Sequence, residues 1–500
     1  MIRGYPHRAS IRAGERLRLH VSTDRPRFRA VVYRWGDGFE PVLRSSWLPG
    51  KHAPDAGPAD DWDWPDYTLD TDRSWRSGVY LAQLEDDGPR PPRLEQDAGA
   101  ALFVVRAAGG VLRPGAMQRG AMGGIMGGIM EGTKGGTKGG TKGGAVPRAT
   151  GNGTDGIGAA RRLLYKLPLA TYHAYNHSGG GCYYAEPRHS HRPPGARVSL
   201  HRPGGGIGGP VWGAPDHYDC RSPRQTFAHW DARFVRWLER SGYDVDYCTD
   251  LDIHAEPAML GDYPLLVGAG HDEYWSEARR DAVEAFVEAG GNVAFFGGNL
   301  CWWRIHLVDD GSAMVCHQGG PQGAHDHWWR PGGAGRPEDS LSGGSYRHGG
   351  GWWDGPRQIS GFRVQDAGHW VFAGTGLAQG ERFGHDTWPP LAGYECDGAP
   401  LAAFDHDSGR ATLSAWCHDA GTPRGYQVLA ACALDRRWQE LPPRERHDSG
   451  EGIHAATLGL YRRNGTVFSA GTTDWAQVLD GPRDRRVERI TRNVLDRLLM

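Results

Sequence analysis

Apolar and polar residues alternate along four stretches of the first hundred residues: RLRLHVST, FRAVVYRW, SGVYLAQLED and AALFVVRA. Period-two alternation places one set of side chains on each face of an extended chain. With turn residues between them, these stretches predict short strands in a small all-β sandwich over residues 1–108. No cluster of ionisable groups marks this region, so it reads as a structural or binding module. The pattern then fails. From Met122 to Gly144 the chain runs MGGIMGGIM and GTKGGTKGGTKGG, where backbone entropy is high and few side chains can repay its loss. A disordered linker is expected over residues 109–160.

From Leu163 the pattern changes again. LLYKLPLATY is strand-like and apolar, and RQTFAHWDARFVRWLERSG carries Phe227, Trp230, Phe234, Trp237 and Leu238 at helical spacing. YDVDYCT, YPLLVGAG and NVAFFGGN read as further strands. Between the last two, SEARRDAVEAFVEAGG reads as a helix capped by Ser276. HWVFAGTG and ATLGLYRRNGTVFSAGTT are also strand-like, and residues 311–355 form a long loop or inserted lobe rich in Gly, His and Trp. A terminal amphipathic helix presents Val487, Ile490, Val494 and Leu498 on one face. Strands alternating with helices predict an α/β domain over residues 161–500, its mostly parallel sheet covered by helices on both faces.

Composition adds limits. The 500 residues carry a net charge of −2 with no long basic run, which argues against nucleic acid or an anionic membrane as partner. No apolar run is long enough to cross a bilayer, and the N-terminal stretch lacks the apolar core of a secretory signal. The eight Cys are isolated, with no CxxC pair, which fits reduced thiols and a cytoplasmic location. Gly (76) and Trp (20) are both abundant. The Trp side chains suit walled pockets or large core fillers.

Ligands of parallel α/β sheets bind beyond the carboxyl ends of the strands. Three polar groups sit at such ends: TYHAYN, GHDEYW and GGN. His271 and Glu273 are two apart, so in an extended segment they point the same way, suiting a base and a metal ligand or proton shuttle. The plainer alternative is that the acids start the next helix and His271 is a satisfied core residue. Tyr172 and Tyr175 flank His173 and would ordinarily be core or rim aromatics. Asn299 follows two Gly that permit a tight turn aimed at a ligand. Cys301 raises a further option, an acyl-transfer nucleophile served by His271, although its neighbours are bulky and no Gly follows to make an exposing turn.

TYHAYNHSGGGCYY, VSLHRP, RWLERSGYDVDYCTDLDIH, GHDEYWS, FFGGN, HWVFAGTGL, GYECDG and SAGTTDWAQVLD together resemble the C-terminal catalytic domain of the N,N-dimethylformamidase large (beta) subunit-like family, over residues 163–499. WPDYTLDTDRSWRSGVYLAQL resembles the immunoglobulin-like sandwich that often precedes it. The resemblance implies a class I glutamine amidotransferase-like or flavodoxin-like fold. It also implies an amidohydrolase with a mononuclear ferric iron held by two Tyr phenolates and one Glu. Carried over by position, Glu273 is the carboxylate ligand and Tyr175 the first phenolate. His271 and Asn299 lie beside the metal or face substrate, and Glu395 is a candidate acid or base. The chain departs from the family where relatives carry a Tyr after VSFDRP; here HRP runs into Gly204, Gly205 and Gly206. Tyr218 in DHYDC, or Tyr172, is the candidate replacement. The reaction implied is metal-assisted hydrolysis of a small-molecule amide, with a small partner subunit or a homo-oligomer left open. Two alternatives stand beside it: a metal-free hydrolase or amidotransferase-like enzyme using Cys301, and a non-catalytic sugar- or peptide-binding protein whose metal site has decayed.

Overall fold

Gly78–Glu85 is buried along its whole length because both of its faces are covered. Tyr80, Ala82 and Leu84 pack inward with Val21, Phe28 and Phe103, while Val79 and Leu81 point the other way and join Trp35, Leu102 and Val104 in a core shared with Leu163 and Tyr165. Strict alternation thus serves two interfaces at once. The structure is a computed structural model that describes residues 1–86, 88, 92–94, 99–107, 162–185, 190–191, 196–207, 226–318, 326–352, 360–435, 438–439, 453–481 and 483–500. The expected linker at 109–160 and Tyr218 lie outside the described residues.

The N-terminal residues form two sheets. Ile2–Pro6, Leu17–Thr23 and Asp66–Leu69 make one, antiparallel throughout. Arg27–Trp35, Phe39–Arg44, Gly78–Glu85, Ala100–Arg106 and Ser10–Arg12 make the other, with Leu48–Pro49 pairing to its Arg27–Trp35 strand. Met1–Ala108 and Arg161–Met500 form one compact unit. The Trp35 indole N–H donates to the Ala232 carbonyl at 2.9 Å, and Arg34 pairs with Glu239.

The expected α/β fold, a mostly parallel flavodoxin-like or class I glutamine amidotransferase-like sheet between helical layers, is not the one adopted. Strand outweighs helix, and the strands are spread over several sheets. The largest is nine-stranded and mixed. Val245–Thr249, Leu163–Leu167, Leu265–His271, Asn292–Gly298 and Thr466–Ser469 run parallel side by side. Beyond them Ala455–Arg462, Gln427–Ala433, Phe362–Val364 and Arg382–Phe383 are antiparallel. The physical reason lies in the connections. Parallel neighbours need a long crossover, whereas antiparallel ones need only a tight turn. Asn464-Gly465, in the turn between Ala455–Arg462 and Thr466–Ser469, is such a turn pair.

Other segments also differ from expectation. LLYKLPLATY is a strand only to Leu167; Pro168 breaks it and Leu169–Ala174 is a short helix whose first N–H groups, Leu169 and Ala170, donate to Asp250 at 3.0 Å each. Trp370–Phe372 in HWVFAGTG is a 3₁₀ turn. The stretch after Val308 contains two further strands, Ala313–Cys316 and Ser345–Trp352. Ser276 does cap the helix Glu277–Glu288, accepting from Arg279 N–H at 3.3 Å, and the four apolar residues of Arg485–Leu498 are buried.

Candidate active site at the strand ends

Because Leu163–Leu167, Leu265–His271 and Asn292–Gly298 are adjacent and parallel, the three polar strand ends meet on one side of the sheet. Two glycines make the meeting tight. Gly270 has a φ of +69°, and a Cβ there would stand 2.5 Å from Cβ of Trp230. A Cβ on Gly298 would fall 3.0 Å from the Glu395 carbonyl oxygen and 2.9 Å from the Thr473 amide. Only glycine lets the Glu395 strand approach so closely. Asn299 then turns the chain at a φ of +49°, a left-handed conformation that Asn tolerates better than most residues. Its N–H and that of Leu300 donate to the two carboxylate oxygens of Asp397, at 3.0 and 3.1 Å. Burial pushes the Asp397 carboxyl up to about 8. Thr171 fixes the other side, its hydroxyl oxygen accepting from the N–H groups of Glu273 and Tyr274 at 3.0 and 3.3 Å.

Five side chains converge on this frame. The Tyr175 hydroxyl donates to Glu273 Oε2 at 2.7 Å. His271 Nε2 lies 3.4 Å from that same oxygen, 2.9 Å from Glu395 Oε2 and 3.1 Å from Asn299 Nδ2. All five residues are buried. Burial alone would lower the His271 pKa, but Glu395 first, then Glu273 and Asp272, outweigh it and hold the imidazole above its ordinary value. Glu395 Oε2 lies beside His271 Nε2, and Asn299 Oδ1 meets no hydrogen-bond partner among the described residues. Buried polar atoms of this kind cost free energy unless something else meets them. Trp230 forms an aromatic wall, with its ring 6.0 Å from that of His271 and stacked on Tyr394.

Asp272, between His271 and Glu273, faces the opposite way. It accepts from Lys166 and Arg279, and Arg279 also reaches Asp250 at 3.5 Å. Burial raises the Asp272 carboxyl, but the two cations prevail and hold it below the usual range. Lys166 moves the unfavourable way for a cation, downward through burial, because it shares its carboxylate with Arg279. Two donors converge on Asp272, and together they keep it ionised against its burial.

The remaining candidates fall elsewhere. Tyr172 and Tyr165 both donate to the Asp231 carboxylate, so the Tyr172 phenol is engaged away from Glu273. Cys301 is buried at a φ of +57°, its N–H donating to the Asp272 carbonyl at 3.0 Å, and burial pushes its thiol up to about 12. A thiol held so high supplies almost no thiolate at neutral pH. Sequence reasoning missed Thr171 and Asp397. Asp397 carried a signal, being two residues beyond Glu395 on one strand, whereas Thr171 carried none. The donor chemistry fits an iron of the kind the resemblance implies in two of its three positions: Tyr175 and Glu273 bring a phenol and a carboxylate, both hard oxygen donors, into contact. Tyr172 does not supply the third.

Comparison with known sequences assigns the chain to a family. Residues 29–489 match the family described as N,N-dimethylformamidase beta subunit-like, C-terminal. Two curated relatives, the N,N-dimethylformamidase beta subunits of an Alcaligenes species and of Paracoccus aminophilus, are each 27% identical over 78 residues, which is 15% of this chain and 10% of theirs. The family match is the broader of the two findings and takes in every residue of the strand-end site; this chain belongs to the N,N-dimethylformamidase beta subunit-like, C-terminal family.

Proposed function

We propose that this chain hydrolyses the C–N bond of a small amide at the strand-end site. The observation that carries the reading is one buried imidazole, held above its ordinary pKa, in contact with two carboxylates and an Asn amide. Amide hydrolysis needs a base for the attacking water, an acid for the departing amine and a donor for the oxyanion. Glu395 takes the proton of the water. His271, protonated, gives its Nε2 proton to the leaving nitrogen, and the proton on Glu395 then restores it across the 2.9 Å contact. A protonated Nε2 facing Asn299 Nδ2 would set two donors against each other. The amide therefore turns over, Oδ1 accepts from His271, and Nδ2 is freed for the developing oxyanion.

Tyr175 and Glu273 would hold a ferric ion, which when bound supplies Lewis acidity toward an amide carbonyl. The names of the relatives, each a beta subunit, support a partner subunit for this chain. A Cys301 mechanism has less support, since its thiol is both buried and high in pKa.

The test measures amine release from N,N-dimethylformamide and formamide by the chain with any co-purifying subunit. His271→Ala and Glu395→Gln should each lower kcat/KM by ~10²–10⁴-fold with the fold intact by circular dichroism. Wild-type activity should persist above pH ~6.5, where an ordinary histidine has lost its proton, and fall only at higher pH. Full activity in His271→Ala would end the proposal.

A further inference from the structure

His306 and His317 lie outside the site just described and have no role in it. His306 belongs to the strand Trp303–Val308, antiparallel to Ala313–Cys316, and is registered opposite Val315. His317 is two residues beyond Val315, so both imidazoles emerge on the same face, while Ile305 and Cys316 point into the apolar core beneath. Asp326 completes the group. Its carboxylate is 1% exposed, against 41% and 38% for the two imidazoles, so a buried acid sits under two half-exposed rings.

The hydrogen bonds around Asp326 divide in an informative way. Oδ1 accepts from Arg304 Nε at 3.0 Å and faces His306 Nε2 at 3.0 Å. Oδ2 accepts from the His317 backbone N–H at 2.8 Å and faces His317 Nδ1 at 2.6 Å. Each oxygen thus has one fixed donor and one imidazole nitrogen. A carboxylate oxygen has two lone pairs, so replacing the imidazole protons by a cation leaves both fixed donors in place. Arg304 and the His317 amide then orient the carboxylate, as outer partners do in metal sites. The three ligand atoms already lie within 4.8 Å of one another.

We propose that His306, His317 and Asp326 bind a borderline divalent cation, zinc in the first instance, independently of the strand-end site. Two imidazoles and one carboxylate suit zinc rather than calcium or magnesium, which prefer all-oxygen sets. The half-exposed rings leave the outward side open to water as a fourth ligand. Each imidazole binds as its neutral form, with the ring proton on the other nitrogen, and any imidazolium releases a proton on binding.

The experiment removes the rival site first. The full chain carrying Glu273→Gln is stripped with chelator and titrated with zinc chloride by calorimetry, alone and with His306→Ala and His317→Ala added. Cobalt(II) is added in parallel, for its visible bands in a tetrahedral site. The Glu273→Gln chain should take up one zinc per chain. The added substitutions should weaken uptake by about a hundredfold or more, beyond the ~10–100-fold that loss of a supporting partner costs. Thermal melts check that the surface substitutions leave the fold intact. Equal zinc affinity with and without the two histidines, or no uptake by the Glu273→Gln chain, would overturn the proposal. Neither outcome bears on amide hydrolysis.

Discussion

Burial and neighbours pull in opposite directions on the buried acids and bases, and the winner differs from residue to residue. At His271 the carboxylates win and hold the pKa above its ordinary value. At Asp231 burial wins: the two Tyr hydroxyls that donate to it cannot offset lost hydration, and its pKa rises to about 7. Asp250, pushed to about 6 by burial, behaves alike. A carboxyl that titrates higher in the folded chain than in the unfolded one contributes stability below the unfolded value of ~3.9. That contribution is lost as pH rises through the folded value. Asp272, held low by its cations, slopes the other way and loses its contribution as pH falls. We therefore expect wild-type stability in urea, minus that of Asp231→Asn, to fall between pH ~4 and about 7. A flat difference over that range would show that Asp231 stays ionised.

At the scale of the element, the end of Leu265–His271 does two jobs through alternation. His271 and Glu273 enter the site while Asp272 anchors the turn from behind, held by Lys166 and Arg279. Arg279 also lies 3.5 Å above the Trp275 ring, which fixes the helix that follows. Removing one member of a buried ionic group leaves the others uncompensated. Asp272→Asn should lower stability by about 3–5 kcal/mol, read by urea denaturation, and should also weaken activity by displacing Glu273. A loss below ~1 kcal/mol would mean that water reaches Lys166 and Arg279.

At the scale of the molecule, the N-terminal sheets complete the larger core. Trp35, Val79, Leu81, Leu102 and Val104 share one apolar cluster with Leu163, Tyr165 and Phe234. Ser10 and Arg106 reach Asp252 across the same boundary, and Arg34 pairs with Glu239. A chain beginning at residue 161 would expose that apolar surface to water. It should therefore be insoluble or aggregated, as judged by size-exclusion chromatography with light scattering. A soluble monomer with an unchanged melting temperature would show the two parts to be independent.

The fold and the site were legible to different depths. Alternation in SGVYLAQLED marks a strand correctly, and the buried runs YPLLVGAG and NVAFFGGN fall in the parallel part of the sheet, because each pattern needs only its own neighbours. The antiparallel half was not legible as such. Asn464-Gly465 signals a turn, yet nothing local says that the strands beside it continue the same sheet. His271, Glu273 and Asn299 stood out as polar residues at strand ends, whereas Glu395 drew notice only through resemblance. Of the two tyrosines in TYHAYN, the one that meets Glu273 depends on where a six-residue helix sets each ring and on Asp231 lying within reach of the other. The sequence by itself determined what is local: strand periods, the Ser276 cap, the glycines that permit sharp turns. Tertiary structure alone decided which strand ends are neighbours and which buried groups share a proton, because both depend on contacts between residues about a hundred positions apart.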